Sequence, residues 1–135
     1  MRRVVIAALA VLPFLMGLAS AQMSADVKFE AGNYGTTVNG TVTGEEFFDY
    51  RLGARAEQEM YAELTAVDSN GSGTIYFNIL PPGSRGEALY NGSMDGNSAL
   101  VTLPETGTYT IRVYQMGNDA DSGATTGYSL DLSIQ

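Results

Sequence analysis

The chain has no cysteine, no histidine and no tryptophan. Without His and Cys, neither a Ser-His-Asp nor a Cys-His catalytic unit can be assembled, and a zinc site of the ordinary nitrogen and sulfur type is excluded. No disulfide can staple the chain, so the fold must rest on its apolar core. Basic side chains are scarce: seven Lys and Arg stand against 15 Asp and Glu. Long apolar runs are scarcer still. The one candidate, Val4 to Leu18, is interrupted by Pro13 and falls short of the roughly 20 residues a membrane helix needs, so no membrane span is expected.

That single apolar run follows Arg2 and Arg3 and precedes Ala19-Ser20-Ala21, the layout of a secretory signal with a small-residue cleavage site. Residues 1–21 therefore read as a signal peptide and 22–135 as one domain, exported to a bacterial periplasm or fully secreted. Removing residues 1–21 from 135 leaves 114, the size of one ordinary domain and long enough to bury a core without staples. The basic residues then number five, Lys28, Arg51, Arg55, Arg85 and Arg112, against 15 acidic ones, a net charge of −10. Such a surface repels phosphate backbones and excludes nucleic acid as a partner, because counterion release needs a basic footprint. It suits solubility, or steering towards a basic protein.

What is present is period-two alternation. Val27 with Phe29, Val38 with Gly40 and Val42, and Phe48 with Tyr50 and Leu52 each describe one face of a strand. So do Met60, Ala62, Leu64 and Ala66, then Ile75, Phe77 and Ile79, then Val101 and Leu103. Tyr109, Ile111 and Val113 alternate with Thr110, Arg112 and Tyr114, and Tyr128, Leu130, Leu132 and Ile134 with Ser129, Asp131 and Ser133. Asn-Gly, Gly-Ser-Gly, Pro-Pro-Gly and Asp-Gly-Asn separate these runs and supply turn geometry. About eight short strands with glycine-rich turns and no crossover helix predict an all-β fold, a single antiparallel β-sandwich. Arg55 to Glu59 reads as a helical turn or a hairpin corner. Pro81 to Asn97 is the longest weakly patterned stretch, with a short edge strand at Ala88-Leu89-Tyr90.

Chemistry-bearing patterns are few. Glycoside hydrolysis needs only two carboxyls about 5 or 6.5–9.5 Å apart, which keeps Glu45 with Glu46, and Asp119 with Asp121, in view. Glu57, Glu59 and Glu63, however, fall on a strand start and its outer face, and Asp119 and Asp121 in a loop, so the chain reads as non-enzymatic. Asp68-Ser69-Asn70-Gly71-Ser72-Gly73 resembles the opening of a calcium loop, but position 12 is Ile79 where a closing acid belongs. An Asx turn accounts for the same residues. No metal or other cofactor is expected. Tyr109, just after the Thr106-Gly107-Thr108 turn, is either a tyrosine corner tying down its neighbour loop or a ligand contact.

Taken in order, GEEFFDYRLGARAEQEMYAEL, IYFNILPPGS, LPETGTYTIRVYQMGNDA and YSLDLSIQ resemble the periplasmic inhibitors of g-type (goose-type) lysozyme, and the broader pre-peptidase C-terminal β-sandwiches. The resemblance runs from about Asp26 to Gln135, and Arg112-Val113-Tyr114-Gln115 with Asn118-Asp119-Ala120 is its most specific part. It implies an inhibitor whose loops enter a lysozyme cleft and block its catalytic acid. It also implies a role for a Ser-Gly-x-Tyr turn and for arginines beside the Asn-Asp-Ala segment. Here the turn is Thr106-Gly107-Thr108-Tyr109, with the hydroxyl kept. Gly117 and Asp121 stand where basic residues are implied. The residues expected to bind a protein partner, in the first instance a basic lysozyme, are thus Thr106, Gly107, Tyr109, Asn118 and Asp119. A carbohydrate- or envelope-binding module is the alternative.

Overall fold

The computed structural model describes residues 23–135, so the expected signal peptide, 1–21, lies outside the described residues. Among these residues the order is β1 (Met23–Asp26), β2 (Gly35–Thr43), β3 (Phe47–Ala54), β4 (Glu59–Ser69), β5 (Ile75–Leu80), β6 (Tyr90–Asn91), α1 (Gly92–Asp95), β7 (Ser98–Thr102), β8 (Gly107–Gln115), α2 (Gly117–Ser122) and β9 (Thr125–Ile134). The strands form two sheets. One has the order β1-β3-β8-β5-β6 and the other β2-β9-β4-β7, so the fold is all-β with nine strands where the alternation suggested about eight.

One core lies between the sheets because the alternating faces converge on it. Tyr109, Ile111 and Val113 of β8 are fully buried, as are Phe77 and Ile79 of β5, Met60 and Ala62 of β4, and Leu130 of β9. Tyr50 and Tyr128 meet in this core, where their hydroxyls lie 2.6 Å apart. A Cβ at Gly40 would fall 2.6 Å from the Tyr128 hydroxyl, so the tyrosine pair dictates glycine at that position of β2. Ala66, counted on the inward face of β4, is exposed. The register slips between Ala66 and Asp68, and this bulge turns the end of the strand outward.

Three expectations are corrected. The pairing is not antiparallel throughout, since β1 runs parallel to β3. Between them the chain passes through β2 in the other sheet, which supplies the crossover a parallel pair requires. The first strand is Met23–Asp26 and stops short of Val27 and Phe29, which still pack on the core as half-buried side chains. The stretch Pro81 to Asn97 contains the two-residue β6 and the single turn α1, with its edge strand at Tyr90–Asn91 where Ala88–Tyr90 was expected. Arg55 to Glu59 is a tight corner linking β3 and β4 of opposite sheets, closed by the Arg55 amide donating to Gln58 Oε1 at 2.7 Å.

Candidate functional site

Strand β8 carries the candidate residues, and its two ends behave differently. Nine residues at about 3.3 Å each span well over 20 Å, so the turn before β8 and the segment after it lie at opposite ends of the sheets. The five candidates do not form one site.

At the first end, the β7–β8 turn is held by Tyr109. Its side chain is fully buried, its hydroxyl donates to the Glu105 carbonyl at 2.6 Å, and the same oxygen accepts from the Glu105 amide at 3.1 Å. This is the geometry of a tyrosine corner; no face of the ring is left for a partner. Thr106 is exposed, but its Oγ1 accepts from the Ala56 amide at 2.9 Å, linking two turns. A Cβ at Gly107 would meet Pro82 at 2.7 Å, so a side chain there would push the Pro81–Leu89 loop away. Arg55 and Arg85 are exposed at this end and form no ion pair with any described residue.

At the other end, Asn118 and Asp119 sit in the short helix α2, a correction of the loop expected there. Asn118 is exposed, whereas Asp119 is only 2% accessible. The Asp119 carboxylate accepts from the backbone amides of Ser72 at 3.0 Å and Thr74 at 2.8 Å, which clamps the β4–β5 loop onto α2. These amides favour the charged form and hold the carboxyl below its ordinary pKa. Gly71 is required by the close approach, since a Cβ there would stand 2.5 Å from Asp119 Oδ1 and 2.8 Å from Ala124 Cβ. Asp119 is thus an internal clamp, and its oxygens are committed to backbone amides.

Sequence reasoning missed Gln115 and Thr126, both buried polar residues beneath α2. Gln115 Nε2 donates to the Ala124 carbonyl at 2.8 Å and the Gly44 carbonyl at 3.3 Å, while Oε1 accepts from Thr126 Oγ1 at 2.6 Å. Gln115 therefore ties the β2–β3 turn, α2 and β9 together. The signal was available: Gln115 continues the inward period of Tyr109, Ile111 and Val113, and a buried amide needs several partners. What the three joined loops expose is acidic, with Glu45, Glu46 and Asp121 at the surface and no Lys or Arg in any of them.

Arg112, part of the most specific stretch, is occupied internally. It makes two bonds to Asp49, at 2.8 and 3.0 Å, and its guanidinium lies 4.2 Å above the Phe47 ring. Its pKa is raised chiefly by the bond to Asp49. Among the described residues, no group of three or more acidic side chains is placed to hold a metal ion.

No family model matches the chain. Aeromonas hydrophila PliG, a periplasmic lysozyme inhibitor of g-type lysozyme, superposes with a TM-score of 0.74 and 32% identity over 84% of this chain and 96% of its own. The inhibitor of g-type lysozyme from Escherichia coli strain K12 is 25% identical over 116 residues, covering 86% of this chain and 84% of that protein. The pre-peptidase C-terminal domain of a Bacillus anthracis collagenase shares the fold, with a TM-score of 0.57 at 14% identity over 85% of this chain and 97% of its own. On the Aeromonas match, which spans most of this chain and nearly all of that protein, this chain belongs to the family of periplasmic inhibitors of g-type lysozyme.

Proposed function

We propose that the chain is an exported, non-enzymatic β-sandwich that inhibits a g-type lysozyme in the periplasm or after secretion, with residues 1–21 removed as a signal and 22–135 as the working domain. The observation that carries this reading is the 32% identity to Aeromonas hydrophila PliG over 84% of this chain and 96% of that protein. In this reading the α2 end is the contact surface. Its three loops are hydrogen-bonded to one another through Asp119 and Gln115, so little ordering remains to be done on binding. Its exposed carboxylates complement a basic partner, and the net charge of the working domain steers encounter in the same sense. Asn118 is the candidate that touches the partner, and Asp119 positions it. Thr106, Gly107 and Tyr109 shape the far end.

The two positions where the family resemblance implies cations differ in what they tolerate. Gly117 has φ +68°, and no atom lies within 4 Å of where a Cβ would stand, so a side chain there is sterically free but strained in its backbone. Asp121 carries no such constraint and is exposed.

The deciding experiment is a lytic assay of goose-type and chicken-type lysozymes titrated with the mature protein. Stoichiometric protection of the goose-type enzyme is expected. Reversing Glu45 and Glu46 to Lys together should slow association severalfold at low salt, while Arg55→Ala with Arg85→Ala leaves it unchanged. Absence of inhibition overturns the reading; loss confined to the Arg55 and Arg85 variant moves the contact to the other end.

A further inference from the structure

The outer face of the five-stranded sheet carries a row of aromatic side chains next to α2. Tyr114 of β8 lies directly opposite Phe47 of β3 on one side and Tyr76 of β5 on the other. Their chain neighbours Val113, Gln115, Ile75 and Phe77 are buried and Phe48 packs on the core, so period two turns all three rings outward, where they are half-buried. The Tyr76 and Tyr114 rings stand 6.1 Å apart, tilted by 44°. Phe47 opens β3 and Tyr114 is one residue from the end of β8, which places the row at the α2 end of the sheet. Met116 extends the same face past the strand. Its backbone is still extended, at φ −135° and ψ 166°, it follows the inward Gln115, and it is 44% exposed.

Local structure does not favour Met116 where it stands. It is the N-cap of α2, a position that prefers Ser, Thr, Asp or Asn, and it makes no capping bond. The helix would be better started by a polar side chain than by a half-exposed thioether. Most polar groups of the row are already spent. The Tyr114 hydroxyl donates to Asn78 Oδ1 at 2.8 Å, and Arg112 is held by Asp49 while it covers Phe47. The Tyr76 hydroxyl makes no hydrogen bond with any other described residue, which leaves it to a partner.

We infer that Met116 and the row of Tyr114, Tyr76 and Phe47 form the apolar centre of the surface that meets the lysozyme, so that the contact runs from α2 onto the outer face of the five-stranded sheet. The inference rests on the inhibitor reading and says where on the molecule the binding energy lies. Interface centres are enriched in aromatic residues, Met and Arg and depleted of carboxylates, which belong at the rim. Glu45 and Glu46, both exposed, immediately precede Phe47 and supply such a rim. That rim also selects the occupant. A second copy bound across a two-fold axis would bring its own Glu45 and Glu46 against these, whereas a basic protein meets them with attraction. The internal bonds of Tyr114 and Arg112 fix the row before binding, which lowers the cost of ordering it.

The test is inhibition of a goose-type lysozyme by the mature protein and its variants, with melting temperatures measured alongside. Met116→Ser should keep or raise the melting temperature, because serine caps α2, and weaken inhibition about tenfold. Tyr76→Thr, which leaves a β-branched residue in β5, should weaken it severalfold, and the double variant more than either. Leu100→Ser, on the outer face of the other sheet and 66% exposed in the parent, should change nothing. Full inhibition by the double variant overturns the inference and leaves the inhibitor reading standing. A fall in melting temperature with Met116→Ser overturns it by giving Met116 a structural role. Self-association of the mature protein that Met116→Ser and Tyr76→Thr abolish overturns it by making the row a contact between copies. Failure of the unmodified protein to inhibit overturns both readings together.

Discussion

At the β7–β8 end a neutral hydroxyl ties a loop to its strand, whereas at the α2 end an ionised carboxylate does so. Tyr109 holds Glu105 through one oxygen that both donates and accepts; Asp119 holds Ser72 and Thr74 through two oxygens that only accept. The first latch is built from an uncharged hydroxyl and backbone groups. The second depends on charge. The ends also differ at the surface, with unpaired Arg55 and Arg85 at one and only carboxylates at the other. The lesson is that burial alone did not decide which residues could meet a partner. Tyr109 and Asp119 are both buried and both structural, yet the surface over Tyr109 mixes Arg55 and Arg85 with Glu57, Glu87 and Glu105, while the surface over Asp119 exposes carboxylates alone.

The largest effect is expected where the two ends are joined. Ile111 lies midway along β8 and is fully buried, so Ile111→Ala should cost about 2–5 kcal/mol in denaturant unfolding. Hydrogen exchange should rise at both ends together. A rise confined to one end would mean that β8 does not couple them.

A smaller effect, restricted to the α2 end, is expected from Asp119→Ala, which strands the Ser72 and Thr74 amides without acceptors. Its melting temperature should fall more than that of Asn118→Ala, because Asn118 is exposed. Acid should reproduce the loss in the unmodified protein. The folded-state pKa of Asp119 lies below the ordinary 3.8, so its stabilisation is complete above that value and disappears as pH falls through the lower, folded pKa. Amide exchange at Ser72 and Thr74 should therefore accelerate in that acid window while Glu105 keeps its protection. Equal acceleration at Glu105 would erase the distinction between the latches.

The smallest effect belongs to the neutral latch. Tyr109→Phe removes one hydroxyl and should cost about 1 kcal/mol, read as a shift in the denaturation midpoint. Inhibition of a goose-type lysozyme should be unchanged, since the hydroxyl faces the Glu105 backbone. Intact stability with inhibition abolished would make Tyr109 a ligand contact and place the working surface at the wrong end.

Much of the fold was legible because strands announce themselves by period two. The faces of β5, β8 and β9 follow from Ile75 to Ile79, Tyr109 to Val113 and Tyr128 to Ile134 without any knowledge of what they pack against. Tyr109 as a corner was legible as one of two options, because a tyrosine just after a glycine turn can reach back to the loop. The candidate site was less legible. Asn118 and Asp119 are adjacent in sequence, and nothing local says that one faces solvent while the other faces a loop more than 40 residues away in the chain.

The sequence by itself determined the absence of disulfides, the acidic balance, the strand faces and the positions of the turns, since each depends on composition or on contacts between near neighbours. Only the tertiary structure decided the partners. It set β1 parallel to β3 because the intervening chain crosses to the other sheet. It turned Asp119 inward because the amides of Ser72 and Thr74 are brought to it from another loop, and it gave Gly40 its reason. Gly40 is held by a hydroxyl pair that forms only when β3 and β9 pack face to face. Those contacts join residues far apart along the chain, and no local pattern encodes them.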